Sequence, residues 1–221
     1  MSKNFEDIGL DKSIQHIGVI MEKFDANIYP RFELPSNYSF VNYYEGLEKE
    51  WARLQLEVEQ ADALEEAEEQ FSKEFLPYKE DLYKQMIFVK NDKDEIVATS
   101  CIWNGRMFGD DRMRIHWVAV SPKYQGLGIS KAMMTELLDI YNELGNERYI
   151  HLTSQTWSYK AINIYIKFGF KPYLGEKPAN WKAVNLTSGN FEPWDYKEKN
   201  EEAWDIIYKK IGEYTENINL N

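Results

Sequence analysis

The chain has 221 residues, of which 43% are hydrophobic, and its 26 basic and 37 acidic side chains leave a formal net charge of −11. That composition supports a packed core in one large domain or two small ones, and its negative balance argues against a general affinity for nucleic acid or anionic membranes. No run of about 18 uncharged apolar residues is present, the opening MSKNFEDIGLDKS lacks the apolar core of a signal peptide, and the single cysteine excludes an internal disulfide, so a cytoplasmic protein is expected.

In chain order, residues 14–21 (IQHIGVIM) form a short apolar run suited to a strand, with His16 a structural residue inside it. Residues 24–37, with Pro30, Pro35 and Asn37, read as a connection, and residues 38–44 (YSFVNYY) have the aromatic and β-branched content of a strand. From Leu47 the period changes. Leu47, Trp51, Leu54, Val58, Ala61 and Leu64 recur as one helical stripe with acids on the other faces. A second helical piece carries Phe71 and Phe75 up to Pro77, and residues 78–85 suggest a further short helix. Residues 45–81 hold thirteen acidic and four basic side chains, so most of the net charge sits here. A solvated helix face is the expected reading, beside which stands an acidic rim that attracts a cationic amine.

Residues 86–90 (MIFVK) and 96–103 (IVATSCIW) flank the turn Asn91-Asp92-Lys93-Asp94 as a hairpin, with Cys101 expected to be buried rather than nucleophilic. After a second turn region at 104–111, residues 113–120 make the third strand of a meander, which ends at Ser121-Pro122 and leads into QGLGIS at 125–130. A helix follows, with Ile129, Ala132, Met133, Leu137, Ile140 and Leu144 on one face and Lys131, Glu136, Asp139 and Glu143 on the other. Gly126 and Gly128 permit positive φ and close backbone approach where that helix begins, and its first N–H groups have no intrahelical partner. A phosphate or pyrophosphate suits such a turn, although a plain tight turn needs no ligand. Gly145-Asn146 supply a C-cap, residues 149–154 (YIHLTS) read as a fifth strand, and residues 158–168 as a helix with Ala161, Ile164, Tyr165 and Phe168 on one face. The tail offers a final strand at 181–186 and a helix at 197–214 whose apolar face is Trp204, Ile207, Tyr208 and Ile211.

The strand followed by Gln125, Gly126, Leu127, Gly128, Ile129 and Ser130 resembles the Q/R-x-x-G-x-G/A signature of the GCN5-related N-acetyltransferase superfamily, with Ser130 in place of the last glycine or alanine. The stretch SYKAINIYIKFGF resembles that family's second motif, N-x-x-A-x-x-L-Y-x-K-x-G-F. Ala161, Tyr165, Lys167, Gly169 and Phe170 match it as they stand, Ile164 replaces the leucine and Ser158 the asparagine. The resemblance covers residues 86–173 and implies an α+β (α/β) fold. Its mixed, mostly antiparallel central sheet has about six or seven strands, flanked by helices and splayed between the fourth and fifth core strands. On this reading residues 1–37 are an N-terminal extension with a short strand, 38–175 the acetyltransferase core, and 176–221 a C-terminal strand and helix packing on it, as a single domain overall.

The resemblance further implies acetyl transfer from acetyl-coenzyme A, as cosubstrate, to a primary amine of a small molecule by direct attack in a ternary complex. The pyrophosphate is expected on the backbone N–H groups of residues 126–130 and the pantetheine arm along Val118, Ala119 and Val120, with Gln125, Ser158 and Ala161 also at the cofactor and the Val118 N–H near the thioester oxyanion. Tyr165 matches the family's usual acid, a phenol that stays protonated at neutral pH. For the base, His116 is the first candidate and His151 the second, with a glutamate or ordered water as alternatives. Strand alternation places His116 on the same face as Arg114, Val118 and Val120. Trp103, Trp117, Trp157 and the tyrosines at 78–83 are either pocket or core. No metal, nucleic acid or membrane partner is expected, and the protein is a monomer or homodimer. The competing reading is a catalytically silent acyl-coenzyme A binding or sensory module on the same fold; a P-loop is excluded because no G-K-S/T follows the glycines.

Overall fold

A computed structural model describes residues 9–145, 149–181 and 196–219. Among these the elements run β1 (Gly18–Lys23), β2 (Tyr38–Asn42), α1 (Glu48–Glu57), α2 (Leu64–Glu74), α3 (Lys79–Gln85), β3 (Met86–Asn91), β4 (Ile96–Gly105), β5 (Arg112–Val120), α4 (Ile129–Glu143), β6 (Ile150–Gln155), α5 (Tyr159–Lys167), β7 (Lys171–Pro172) and α6 (Tyr196–Asn219). They fall into two compact units, one built on Tyr29–Trp103 and Ile115–Glu147, the other on Gly9–Ile28, Asn104–Arg114 and Arg148–Asn221.

In the first unit the strand order is β2-β3-β4-β5. β2 pairs antiparallel with β3, Phe40 opposite Val89, and β3 with β4, Phe88 opposite Thr99. The β3–β4 turn is organised by Asn91, whose side-chain oxygen accepts from the N–H groups of Lys93 (2.9 Å) and Glu95 (3.0 Å). Eight consecutive residues of β4 from Ile96 are buried, Cys101 among them, as its nearly unbroken apolar sequence requires.

The helical stripe expected from Leu47 to Leu64 is two helices, not one. α1 ends at Glu57, Glu59 takes a left-handed conformation (φ +59°), and the extended Ala63 starts α2. The two helices share one aromatic core, in which Trp51 lies 5.3 Å from Phe71 and 5.8 Å from Phe75 between ring centroids. Their outer faces carry solvated ion pairs, with Arg53 between Glu50 and Glu57 and Lys73 on Glu69. α4 buries Ile129, Ala132, Met133 and Leu137 as its period predicts, and also Met134, Thr135, Leu138 and Tyr141, while Ile140 is only half-buried.

In the second unit the order is β6-β1-β7, all antiparallel, with Val19 opposite Ser154 and Met21 opposite both Leu152 and Pro172. β1 starts at Gly18 rather than residue 14 because the preceding backbone is held by other groups. The Trp157 indole N–H donates to the Ile14 carbonyl (2.6 Å), and the Ile17 N–H donates to Thr156 Oγ1 (3.0 Å). α5 buries Tyr159, Ile162 and Tyr165, so its inward face is rotated from the expected one: Ala161 and Ile164 are half-buried. α6 extends beyond the predicted helix at both ends and buries Ala203, Trp204 and Ile207, leaving Tyr208 exposed. Residues 182–186 of the expected final strand and Asn146 of the expected C-cap lie outside the described residues; Gly145 has the left-handed φ of +67° that a helix terminus uses. Among the described residues no helix is long and apolar enough to cross a membrane.

Candidate active site

In the first unit β5 runs into a single 3-10 turn at Pro122–Tyr124 and then into α4. The Ser121 N–H donates to the Val97 carbonyl (2.9 Å), and the Gln125 side-chain amide folds back to donate to the Val120 carbonyl (2.9 Å), so the end of β5 and the start of the loop brace one another. Gly126 (φ +75°) and Gly128 (φ +89°) both sit in the left-handed region, where any other residue is strained. Gly128 is the N-cap of α4, has no side-chain cap, and a Cβ there would meet nothing within 4 Å. Gly126, Leu127 and Gly128 are exposed, Ser130 is half-buried, and Ile129 is buried in the core. The result is an open backbone cradle at the positive end of a helix of 15 residues, with the geometry that suits a phosphate.

Just before this cradle the strand is irregular. Trp117 has φ +52°, a genuine outlier for a bulky residue, with a strain of about 1–3 kcal/mol that the surrounding packing must hold. Its consequence corrects the expected strand alternation. The consecutive side chains His116 and Trp117 turn to the same carboxylate, with His116 Nε2 2.9 Å from Glu74 Oε1 and the Trp117 indole N–H donating to Glu74 Oε2 at 3.0 Å. The carbonyl of His116 accepts from the Ser100 hydroxyl (3.0 Å) and the Cys101 thiol (3.6 Å), and that of Val118 from the Gln60 amide (3.5 Å). Val118 is half-buried while Ala119 and Val120 are buried.

Glu74 is absent from the residues expected at the site, concealed among the thirteen acids of its segment. A signal was present. Ala67, Phe71, Glu74 and Phe75 recur on one face of α2, which places a carboxylate on an otherwise apolar stripe. Its side chain, like that of His116, is only 15% exposed. As the last residue of its helix it faces the negative end of the macrodipole, an unfavourable place for an acid that its hydrogen bonds with the Trp117 indole and the His116 ring offset.

In the second unit, Ser158 Oγ accepts from the Gln155 amide (3.0 Å), just ahead of α5. Tyr165 is 7% exposed, and burial pushes its phenol well above the ordinary tyrosine range, so it carries its proton throughout the neutral region. Its ring lies 6.4 Å from that of Phe170. His151 is fully buried in β6 with its ring edge-on to Phe108 at 5.2 Å, a packed position unlike the partly open one of His116. His16 stacks edge-on to Trp157 (4.8 Å) as a structural residue. Of the candidate aromatics, Trp103 packs on Phe75 (4.8 Å) and Trp157 is held by Ile14, so both belong to cores, whereas Tyr78 and Tyr83 are exposed. Among the described residues no group of His, Cys, Asp and Glu side chains is placed to hold a metal ion.

Residues 49–170 match the family model described as the acetyltransferase (GNAT) family. No curated protein matches the chain. Among solved structures, a GCN5-related N-acetyltransferase from Sphaerobacter thermophilus is 17% identical with a TM-score of 0.58, the match covering 76% of this chain and 51% of that one. A GNAT-family acetyltransferase from Colwellia psychrerythraea is 8% identical (TM-score 0.54; 72% and 53% covered), and a tandem GNAT protein from the clavulanic acid biosynthesis pathway is 14% identical (TM-score 0.52; 75% and 52%). The chain thus spans about half the length of these proteins, and at such identities the likeness shows a shared fold, the one its two motifs imply.

Proposed function

The chain belongs to the acetyltransferase (GNAT) family, and from that premise we propose that it is an acyltransferase, which transfers the acetyl group of acetyl-coenzyme A to a primary amine of a small molecule, by direct attack in a ternary complex. The observation that carries this reading is the exposed left-handed Gly126 and Gly128 opening α4 directly after the irregular segment of β5. The backbone N–H groups of residues 126–130 hold the pyrophosphate, and Val118, Ala119 and Val120 pair with the amide-rich pantetheine arm. Gln125 supports the loop from its bond to Val120, and Ser158 and Ala161 contribute cofactor contacts from the start of α5. The reaction is placed in the cytoplasm.

In the chemical step the amine nitrogen forms a bond to the thioester carbonyl carbon, the carbon–sulfur bond breaks, and the thiolate leaves. His116 takes the proton that the incoming ammonium must lose, Tyr165 gives its phenolic proton to the departing thiolate, and the second proton shed by the nitrogen as the amide forms restores the phenol. The Val118 N–H stabilises the oxyanion between these events. Burial keeps the Tyr165 phenol protonated through the neutral region, so a proton is present to give, while the raised pKa makes it a weak acid that gives that proton only as charge builds on the leaving sulfur. His116 has the more open position of the two candidate histidines, beside a strained turn of backbone of the kind that gathers at reacting centres.

His116→Gln is expected to lower kcat by about 100-fold near neutral pH while the KM for acetyl-coenzyme A stays within about twofold of wild type. Steady-state rates of thiol release at saturating cosubstrate measure both. Full turnover in this variant would overturn His116 as the base and leave water or a carboxylate in that role.

A further inference from the structure

The Glu74 carboxyl makes two hydrogen bonds, one whose direction is fixed by chemistry and one whose direction follows once the carboxyl is ionised. An indole N–H only donates, so Glu74 Oε2 accepts from Trp117 at 3.0 Å. An ionised carboxylate only accepts, so His116 Nε2, 2.9 Å from Oε1, must be the donor. The neutral imidazole then carries its proton on Nε2 and has its basic lone pair on Nδ1. Both bonds are made by side chains that are mostly buried, on a segment held in register by the Ser100 hydroxyl at the His116 carbonyl (3.0 Å) and by Trp51 against Trp117 (5.1 Å between ring centroids).

We propose that Glu74 is a positioning residue for acetyl transfer, joined to His116 Nε2 and the Trp117 indole, and that it fixes the imidazole tautomer so that Nδ1 is the atom that takes the proton from the acceptor ammonium. The inference rests on His116 being the base. The left-handed Trp117 is part of the same device, because regular alternation along β5 would turn His116 and Trp117 to opposite faces, and one carboxylate could not hold both.

Glu74→Gln tests the device through its tautomer. The amide has one acceptor oxygen and one donor NH2. Trp117 can only donate, so it keeps the oxygen. The NH2 then faces His116 Nε2, which must accept, and the ring proton moves to Nδ1. With uniformly 15N-labelled protein at about pH 9, above the ordinary imidazole pKa near 6.5, long-range 1H–15N correlation spectra distinguish the tautomers. The His116 signals are assigned by their loss in His116→Gln. The expected result is an Nε2–H ring in the wild type, an Nδ1–H ring in Glu74→Gln, and a fall in kcat of about tenfold to 100-fold with the KM for acetyl-coenzyme A unchanged. The fall is no greater than that in His116→Gln, because Glu74 acts through that residue. Trp117→Phe removes the indole donor and frees the amide to flip, so the double variant Glu74→Gln/Trp117→Phe is expected to regain the Nε2–H tautomer and part of the lost kcat.

A wild-type ring protonated on Nδ1 overturns the proposal without any variant having to fold. A tautomer that is the same in wild type and Glu74→Gln overturns it too. Loss of turnover in His116→Gln with none in Glu74→Gln removes the positioning role alone and leaves the base assignment standing. Full turnover in His116→Gln removes the base assignment, and the positioning role falls with it.

Discussion

Tyr165→Phe is expected to lower kcat by about 10²- to 10⁴-fold, equivalent to roughly 3–5 kcal/mol of transition-state stabilisation, while acetyl-coenzyme A still binds. The substitution removes one hydroxyl and keeps the ring, so the packing of α5 on its side of the second unit, including the edge-on contact with Phe170 at 6.4 Å, survives. Stability should change by no more than about 0.5–1.5 kcal/mol, the usual net worth of one hydroxyl's hydrogen bonding. The size of the kinetic effect follows from the leaving group: without a donor, coenzyme A must depart as the free thiolate. Burial holds the phenol protonated well past neutrality, so Tyr165 should contribute no fall in rate on the alkaline side until above about pH 10. Single-turnover rates with equilibrium binding of the cosubstrate separate the two effects. Wild-type turnover in this variant would remove Tyr165 from the chemistry and leave it a packing residue.

Trp51→Ala should have the largest effect on stability, about 3–5 kcal/mol, against the roughly 5–15 kcal/mol by which a domain is ordinarily stable. Trp51 is 1% exposed at the centre of the aromatic core of the first unit, with Phe71, Phe75 and Trp117 around it at centroid distances of 5.3, 5.8 and 5.1 Å. Removing it opens a cavity that three rings cannot fill by small shifts. Its indole N–H has no acceptor among the described residues, so Trp51→Phe sheds a buried unsatisfied donor as well as some volume and should cost less than about 1.5 kcal/mol. Since Trp51 also supports Trp117, the folded fraction of the alanine variant should turn over more slowly as well. Urea denaturation of the three proteins gives the comparison, and a loss under about 1 kcal/mol in Trp51→Ala would show that this core repacks.

The parts of the site that local chemistry dictates were legible from the chain. Gly126 and Gly128 are required by a backbone that takes left-handed φ at both positions, and α4 follows a sustained 3.6-residue period. Burial of Cys101 follows from its apolar strand. What depends on tertiary contact was not legible. The break between α1 and α2 falls inside an unbroken apolar stripe, and it is the left-handed Glu59 and the extended Ala63 that mark it. β1 begins late because Ile14 and Ile17 are claimed by Trp157 and Thr156, distant in sequence. The reversal at Trp117 contradicts the preference of any bulky residue and exists because Glu74 holds its indole while Trp51 packs against its ring. Glu74 itself looks like one more solvated acid until its spacing from Ala67, Phe71 and Phe75 is considered.

Initial-rate measurement of free thiol released from acetyl-coenzyme A, with mass detection of the acylated product, tests amine acetylation most directly. The acceptors are a set of small primary amines that includes an arylalkylamine, a polyamine, an amino sugar and an aminoglycoside. The expected result is saturable, amine-dependent release with one N-acetyl product per thiol and intersecting double-reciprocal lines, the pattern of a ternary complex. Parallel lines with an acetylated enzyme would contradict direct attack. Tight binding of acetyl-coenzyme A with no amine-dependent release on any acceptor would contradict amine acetylation and identify a silent acyl-coenzyme A binding module.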